Sequence, residues 1–171
     1  MLAGRRSLPV RAADLGSGGG VPGLPLALHL TGCAWVLIET AVRRAAFLRR
    51  AIGRLGLGPR VTVVEERVEA VGRRPECRGT FDLVVARSFG PPAVVAECAA
   101  PLLRVGGGAV ISEPPDGTGE RWPAQGLAAL GLAAARTTHA SGATYQILEQ
   151  TLPCPERYPR RVGVPAKRPL F

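Results

Sequence analysis

Apolar residues fall along the chain in short runs separated by glycine, proline and arginine. The run at residues 8–15 ends in Asp14-Leu15-Gly16, which predicts a buried strand entering a glycine loop. GSGGGVPG follows and leads into LPLALHL, so the pattern reads strand, loop, helix. Residues 34–39 (AWVLIE) predict a second strand that ends on an acid. Val42, Ala45, Leu48, Ile52 and Leu55 then recur at spacings of three and four, the period of a helix, with arginines on the other faces. Gly56 and Gly58-Pro59 stop it. Residues 61–64 and 81–86 predict the third and fourth strands. Pro91-Pro92 opens a helix running to Leu103, since proline is tolerated in a first turn. Gly106, Gly107 and Gly108 end that helix, and residues 109–112 give a fifth strand. Residues 127–130, 133–139 and 144–151 read as helix, strand and strand. Alternating strands and helices with apolar strands predict an α/β fold, a mostly parallel, doubly wound sheet with an antiparallel C-terminal element.

At 171 residues the chain suits one domain, and 46% hydrophobic residues against 20% charged ones exclude disorder along its whole length. The apolar runs are broken before the roughly 20 residues that a membrane span needs. The N-terminus lacks the apolar core of a signal peptide. No membrane association and a cytoplasmic location are therefore expected. Cys33, Cys77, Cys98 and Cys154 form no close pair, and only His29 and His139 could join them, so no metal site or disulfide framework is expected. The net charge of +9 suits a phosphate-rich partner, although every basic residue but Lys167 is arginine, as a GC-rich coding sequence also produces. The C-terminal segment combines prolines with Arg157, Arg160, Arg161, Lys167 and Arg168. We divide the chain into a domain over residues 1–152 and an extended basic tail over 153–171.

The chemistry concentrates at the first strand end. Asp14-x-Gly16-x-Gly18-x-Gly20 is a loop in which the backbone can turn sharply and approach a ligand with no Cβ in the way. In open α/β sheets, ligands lie beyond such carboxyl ends. Gly18, Gly20 and Gly23 also satisfy G-x-G-x-x-G, with Glu39 about 20 residues on, where a carboxylate accepts from ribose hydroxyls in a dinucleotide site. The loop alone therefore leaves two cofactors open, a nicotinamide dinucleotide and S-adenosylmethionine. Asp14, suited to a cationic methionine group, and Pro22 in the loop favour the second. Arg87 follows the apolar run LVVA at a strand end, where a guanidinium can hold a carboxylate or a phosphate in two-pronged fashion.

DLGSGGGVPGLPLAL, LIETAVRRAAFLRR, ERVEAV, FDLVVARSFGPP and YPRRVGVPAKRPL resemble, in order and spacing, the bacterial 16S ribosomal RNA guanine-N7 methyltransferase family (RsmG, also called GidB). The resemblance covers nearly all of residues 8–171 and implies a Rossmann-like class I fold, S-adenosylmethionine as methyl donor and the small ribosomal subunit as partner. It also implies that Gly16 and Val21 hold the methionine and adenosine parts of the cofactor, that Glu39 binds ribose, that Val68 and Glu69 border the adenine, and that Arg87 stands beside the methyl donor. Guanine N7 carries a free lone pair at neutral pH, so no general base is needed, no catalytic residue is assigned, and placement can supply much of the rate.

Two features depart from the family. About a dozen residues precede Asp14, where members carry a helical segment that flanks RNA and caps the cofactor cleft, so the chain reads as an N-terminally short member. After the fifth strand, Glu113 stands where the family has a lysine, an acid that repels phosphate. Both features support an alternative, a catalytically silent paralogue that binds S-adenosylmethionine or RNA, and the overlapping glycine motif keeps a nicotinamide-dependent oxidoreductase as a second. The expected RNA contacts are Arg43, Arg50 and Arg54 along one helix and the basic residues of the tail.

Overall fold

A computed structural model describes residues 8–115 and 119–171; residues 1–7, on which the leader reading partly falls, lie outside these bounds. The elements are β1 (Arg11–Leu15), α1 (Gly23–His29), β2 (Ala34–Ile38), α2 (Val42–Arg54), β3 (Val61–Val64), α3 (Val68–Val71), β4 (Phe81–Ala86), α4 (Pro92–Ala99), β5 (Leu103–Glu113), α5 (Ala124–Ala128), β6 (Leu132–Ala140), β7 (Ala143–Gln150) and α6 (Val164–Lys167). A single-turn 3-10 helix, Gly119–Arg121, precedes α5. The seven strands form one sheet in the order β3-β2-β1-β4-β5-β7-β6. β7 runs antiparallel to β5 and β6, and the other neighbours are parallel. That is the doubly wound sheet with an antiparallel end, and its order reverses between β1 and β4, which opens a crevice at the strands' carboxyl ends.

Strand alternation divides the core. Ala13, Leu15, Val84, Ala86, Ala109 and Ile111 face the side carrying α3, α4 and α5, while Ala12, Leu37, Leu83 and Val85 face α1 and α2. Leu48 and Ile52, on the apolar stripe of α2, are buried against the second face, and Arg43, Arg50 and Arg54 are exposed. Cys33, Cys77 and Cys98 are buried free thiols and Cys154 is half-buried; among the described residues no cluster suited to a metal ion occurs. Among the same residues no helix is long and apolar enough to cross a membrane.

Two expectations are corrected. β5 begins at Leu103 and runs through Gly106, Gly107 and Gly108, so the glycines do not separate a helix from a strand. They accommodate a register shift against β4 between Phe81 and Leu83: a Cβ on Gly107 would lie 2.9 Å from the carbonyl oxygen of Phe81. The second correction concerns the C-terminal segment, which folds back on the domain instead of extending away from it. Tyr158 and Pro165 are buried, and Leu170 and Phe171 pack against the core. The Arg78 guanidinium donates to the carbonyl oxygens of Cys154, Pro155 and Tyr158 at 2.7–3.0 Å, acceptors that a proline-rich stretch cannot satisfy within a helix.

Glu97 on α4 supplies the other anchor. It is fully buried, and its carboxylate accepts from the backbone N–H of Arg160 at 2.8 Å and from the Arg160 guanidinium at 2.6–3.1 Å through Nε and Nη2. This pair raises the Arg160 pKa above the usual guanidinium range, chiefly through the hydrogen bonds to Glu97. Removing one partner of such a pair strands a buried charge. Arg160→Ala is therefore expected to cost about 3–5 kcal/mol in urea unfolding. Arg161→Ala, one residue on and exposed, should change it by less than about 0.5 kcal/mol.

Candidate cofactor and base site

The loop after β1 is built from three glycines at positive φ, Gly16 (63°), Gly18 (54°) and Gly20 (88°), a region where side chains are strained. The Ser17 N–H donates to the carbonyl of Ile38 at 3.0 Å, which ties the loop to the end of β2. Glu39 sits just beyond that end. One oxygen of its carboxylate accepts from the Gly18 N–H at 2.9 Å; the other accepts from the Ala41 N–H at 2.8 Å and from Arg44 at 3.1 Å. Glu39 is only 3% exposed, and burial pushes its pKa up, but the two N–H groups and the Arg44 guanidinium outweigh burial and hold it below the usual carboxylate range.

A cavity of about 310 Å³ opens against this loop. Gly16, Gly18, Glu39, Val68 and Glu69 line it together, as do Arg44, Phe89, Cys98 and Ala166. The structure thus gathers five of the eight expected cofactor residues in one place. The donor set fits a nucleoside cofactor. A carboxylate has about four acceptor sites, and of the three used on Glu39 one goes to Arg44, whose side chain is 60% exposed and free to yield to a ribose hydroxyl. Gly16 must lack a side chain, because a Cβ there would come within 2.8 Å of the Phe89 ring.

The other three fall elsewhere. Asp14 is buried beneath the loop, where its Oδ2 accepts from the Gly23 N–H at 3.1 Å. Val21 and Arg87 line a different, more apolar groove of about 810 Å³ with Pro22, Val110, His139 and Tyr145. Strand parity explains Arg87: it follows Val85 toward the α1 side, and Ser88 turns toward the cavity. Of the expected RNA residues, Arg157, Arg161, Lys167 and Arg168 are exposed, whereas Arg160 is committed to Glu97. Glu113 also has a partner, Arg121, at 2.7 Å, so the acid does not present an unpaired charge.

Among the lining residues not anticipated are Phe89, Cys98 and Ala166. Phe89 was readable as an aromatic next to a strand end. Ala166 carries no chemical signal; it reaches the cavity because the Gly163 N–H donates to Glu69 at 2.9 Å and holds the start of α6 there.

Known proteins of one family are similar to this chain. Residues 3–112 match the GidB family, described as rRNA small subunit methyltransferase G. A curated relative, the ribosomal RNA small subunit methyltransferase G of Prochlorococcus marinus (strain MIT 9313), is 41% identical over 95% of this chain and 68% of its own length. The chain thus spans about two thirds of that relative. Two solved structures are similar in fold. One, described as PigF with SAH, has a TM-score of 0.64 and 22% identity over 85% of this chain and 52% of its own. The other, an O-methyltransferase family protein from Burkholderia thailandensis, has a TM-score of 0.65 and 16% identity over 84% and 51%. The sheet is the Rossmann-like one of class I methyltransferases.

Burial, followed by the nearby Glu39 charge, raises the Asp14 pKa to about 7 against the opposing hydrogen bonds from Ser17 and Gly23. The folded chain then retains a proton that the unfolded chain releases near pH 4. This group's contribution to stability is full below about pH 4 and is lost as pH rises to about 7. Urea unfolding at pH 5 and pH 8 should show Asp14→Asn losing less stability across that interval than the parent chain.

Proposed function

The chain belongs to the GidB family, the rRNA small subunit methyltransferase G proteins, and from that premise we propose that it methylates guanine N7 of 16S ribosomal RNA with S-adenosylmethionine. The observation that carries the reading is the cavity in which Gly16, Gly18, Glu39, Val68 and Glu69 meet at the strands' carboxyl ends. When bound, the cofactor supplies a methyl group already activated on a sulfonium, whose transfer leaves a neutral sulfide and puts the positive charge on the acceptor. Glu39 would hold the ribose, and the glycine backbone admits the ligand close to the sheet. Val68 and Glu69 would border the adenine. Because N7 presents its lone pair unprotonated, the protein's task is to bind, orient and exclude water, and no side chain has to move a proton.

Asp14 and Arg87 take other roles in this reading. Asp14 fastens the loop from below, and Arg87, with Val21, borders the apolar groove outside the cofactor cavity. Exposed arginines on α2 and the exposed basic residues of the C-terminal segment would meet RNA phosphates, which suits a net charge of +9. The small ribosomal subunit as the particle acted on, and the cytoplasm as the compartment, belong to the same proposal.

Calorimetric titration with S-adenosylhomocysteine and with NADH tests the cofactor, and transfer of labelled methyl to unmodified small subunits tests the reaction. Saturable binding of the former alone, followed by transfer, is expected. Glu39→Ala should weaken S-adenosylhomocysteine binding by roughly 10- to 100-fold, the equivalent of one hydrogen bond to a charged group. Unchanged affinity in that variant would remove Glu39 from the site, and cofactor binding without any transfer would favour the silent paralogue.

A further inference from the structure

Val68 and Glu69 reach the cofactor cavity from an element too short to fix its own position. α3 is a single turn, Val68–Val71, with no side-chain cap at its start, and a helix of that length takes its place from packing and not from its own hydrogen bonds. The C-terminal segment grips it at both ends. At the first, the Glu69 carboxylate accepts from the Gly163 N–H at 2.9 Å, across 94 positions of sequence. At the second, Gly72 leaves room for Pro159: a Cβ there would lie 3.3 Å from the proline Cγ. Nη1 of Arg78 ties the two together, donating to the carbonyl oxygens of Gly72 at 3.3 Å and Tyr158 at 2.7 Å. Between the two grips stands Arg160, held by the buried carboxylate of Glu97. Ala166, three residues beyond Gly163, is exposed and lines the cavity.

We propose that the C-terminal segment is part of the cofactor site: it fixes where α3 presents Val68 and Glu69 to the adenine, and Ala166 closes the open side of that pocket. The inference deepens the reading given above and rests on it. Arg160 is then a positioning residue, which touches no cofactor and acts through Gly163 and α3. The adenine wall exists only while the segment is seated. The apparent dissociation constant of the cofactor therefore rises by the inverse of the seated fraction, and a variant that lifts the segment weakens binding without altering any group that meets the ligand. By linkage the converse holds, and bound cofactor keeps the segment down. The basic residues divide accordingly. Arg160 serves the cofactor from inside the fold, while Arg157, Arg161, Lys167 and Arg168 stay exposed on the outside of the same segment.

The test measures S-adenosylhomocysteine binding to the full chain and to its variants Ala166→Trp, Arg160→Ala and Arg160→Lys, with urea unfolding of each. Because Ala166 is exposed, Ala166→Trp is expected to keep the urea midpoint of the parent, while its indole fills part of the cavity and weakens binding at least about tenfold. Arg160→Ala should weaken binding at least about fivefold. Arg160→Lys, which keeps the charge but not the two-pronged geometry, should recover part of that loss. A second readout is trypsin cleavage between the exposed Arg161 and Val162, compared with cleavage after the exposed Arg54 at the end of α2. Saturating S-adenosylhomocysteine is expected to slow the first at least about fivefold more than the second, since it holds the segment locally. That comparison uses the parent alone, so it decides the matter even where Arg160→Ala fails to fold. Parent-like affinity in folded Ala166→Trp or folded Arg160→Ala, or equal slowing at the two cleavage sites, overturns the assignment while leaving the methyltransferase reading intact. Absence of S-adenosylhomocysteine binding by the parent overturns that reading and the role of the segment with it.

Discussion

The crevice depends on two carboxylates at the ends of adjacent strands, each gripping the glycine loop that runs between them. Asp14 and Leu15 are paired in parallel with Leu37 and Ile38, so Asp14 and Glu39 emerge close together at one edge of the sheet. Asp14 accepts the N–H of Gly23 at the start of α1, and Glu39 accepts the N–H of Gly18 in the middle of the loop. A glycine loop has the largest conformational freedom to lose on folding. These bonds, with that from Ser17 to Ile38, fix it in one shape. The steric fit is as strict as the bonding: a Cβ on Gly23 would sit 2.6 Å from Asp14 Oδ2. The two acids nonetheless diverge. Glu39 gathers two backbone donors and a guanidinium, which holds its charge at the mouth of the cavity, whereas burial prevails at Asp14. One carboxylate is thereby free to serve a ligand, and the other serves the loop.

The C-terminal segment closes the same cavity from the opposite side. Arg78 and Glu97 reach across about 60–80 positions of sequence to bind residues 154–160, and Glu69 then holds Gly163, which brings Ala166 into the cavity wall. Part of the chain's positive charge is thus spent inside the fold. Arg78 and Arg160 satisfy carbonyls and a buried acid, so the basic surface available to a polyanion is smaller than the composition suggests.

What the sequence made legible follows from the range of the interactions involved. The 3.6-residue spacing in α2 and the short apolar runs of β1, β2, β3 and β4 are local signals, and those elements stand where periodicity put them. The glycine loop and Glu39 were readable because the chemistry that joins them spans only one helix and one strand. β5 was misread through its glycines, since a strand that shifts register needs small residues at the point of shift and so imitates a loop. The C-terminal segment was misread because proline and arginine are solvated in isolation, and only tertiary partners dozens of residues away convert them into a packed strap. α6 starts with Val164 and Pro165, behind a glycine at φ 79°, and its four residues carry no periodicity at all.

Strand parity accounts for the remaining differences and decides the chemistry at the sheet's edge. β4 and β5 pair Val85 with Val110 and Ala86 with Ile111, so successive residues pass alternately to the two faces. Counting onward from the apolar runs, Arg87 belongs to the face of Val85 and lines the apolar groove there. Glu113 belongs to the face of Ile111, where α4 packs, and Ser88, past the strand end at φ 52°, lines the cavity there with Ala86. The family resemblance implied an arginine beside the methyl donor and, at Glu113, an acid in place of a lysine that would face RNA phosphate. The arginine lines the apolar groove, and the acid is drawn inward against Arg121. On the inner face that carboxylate is 4% exposed, and a guanidinium meets its charge.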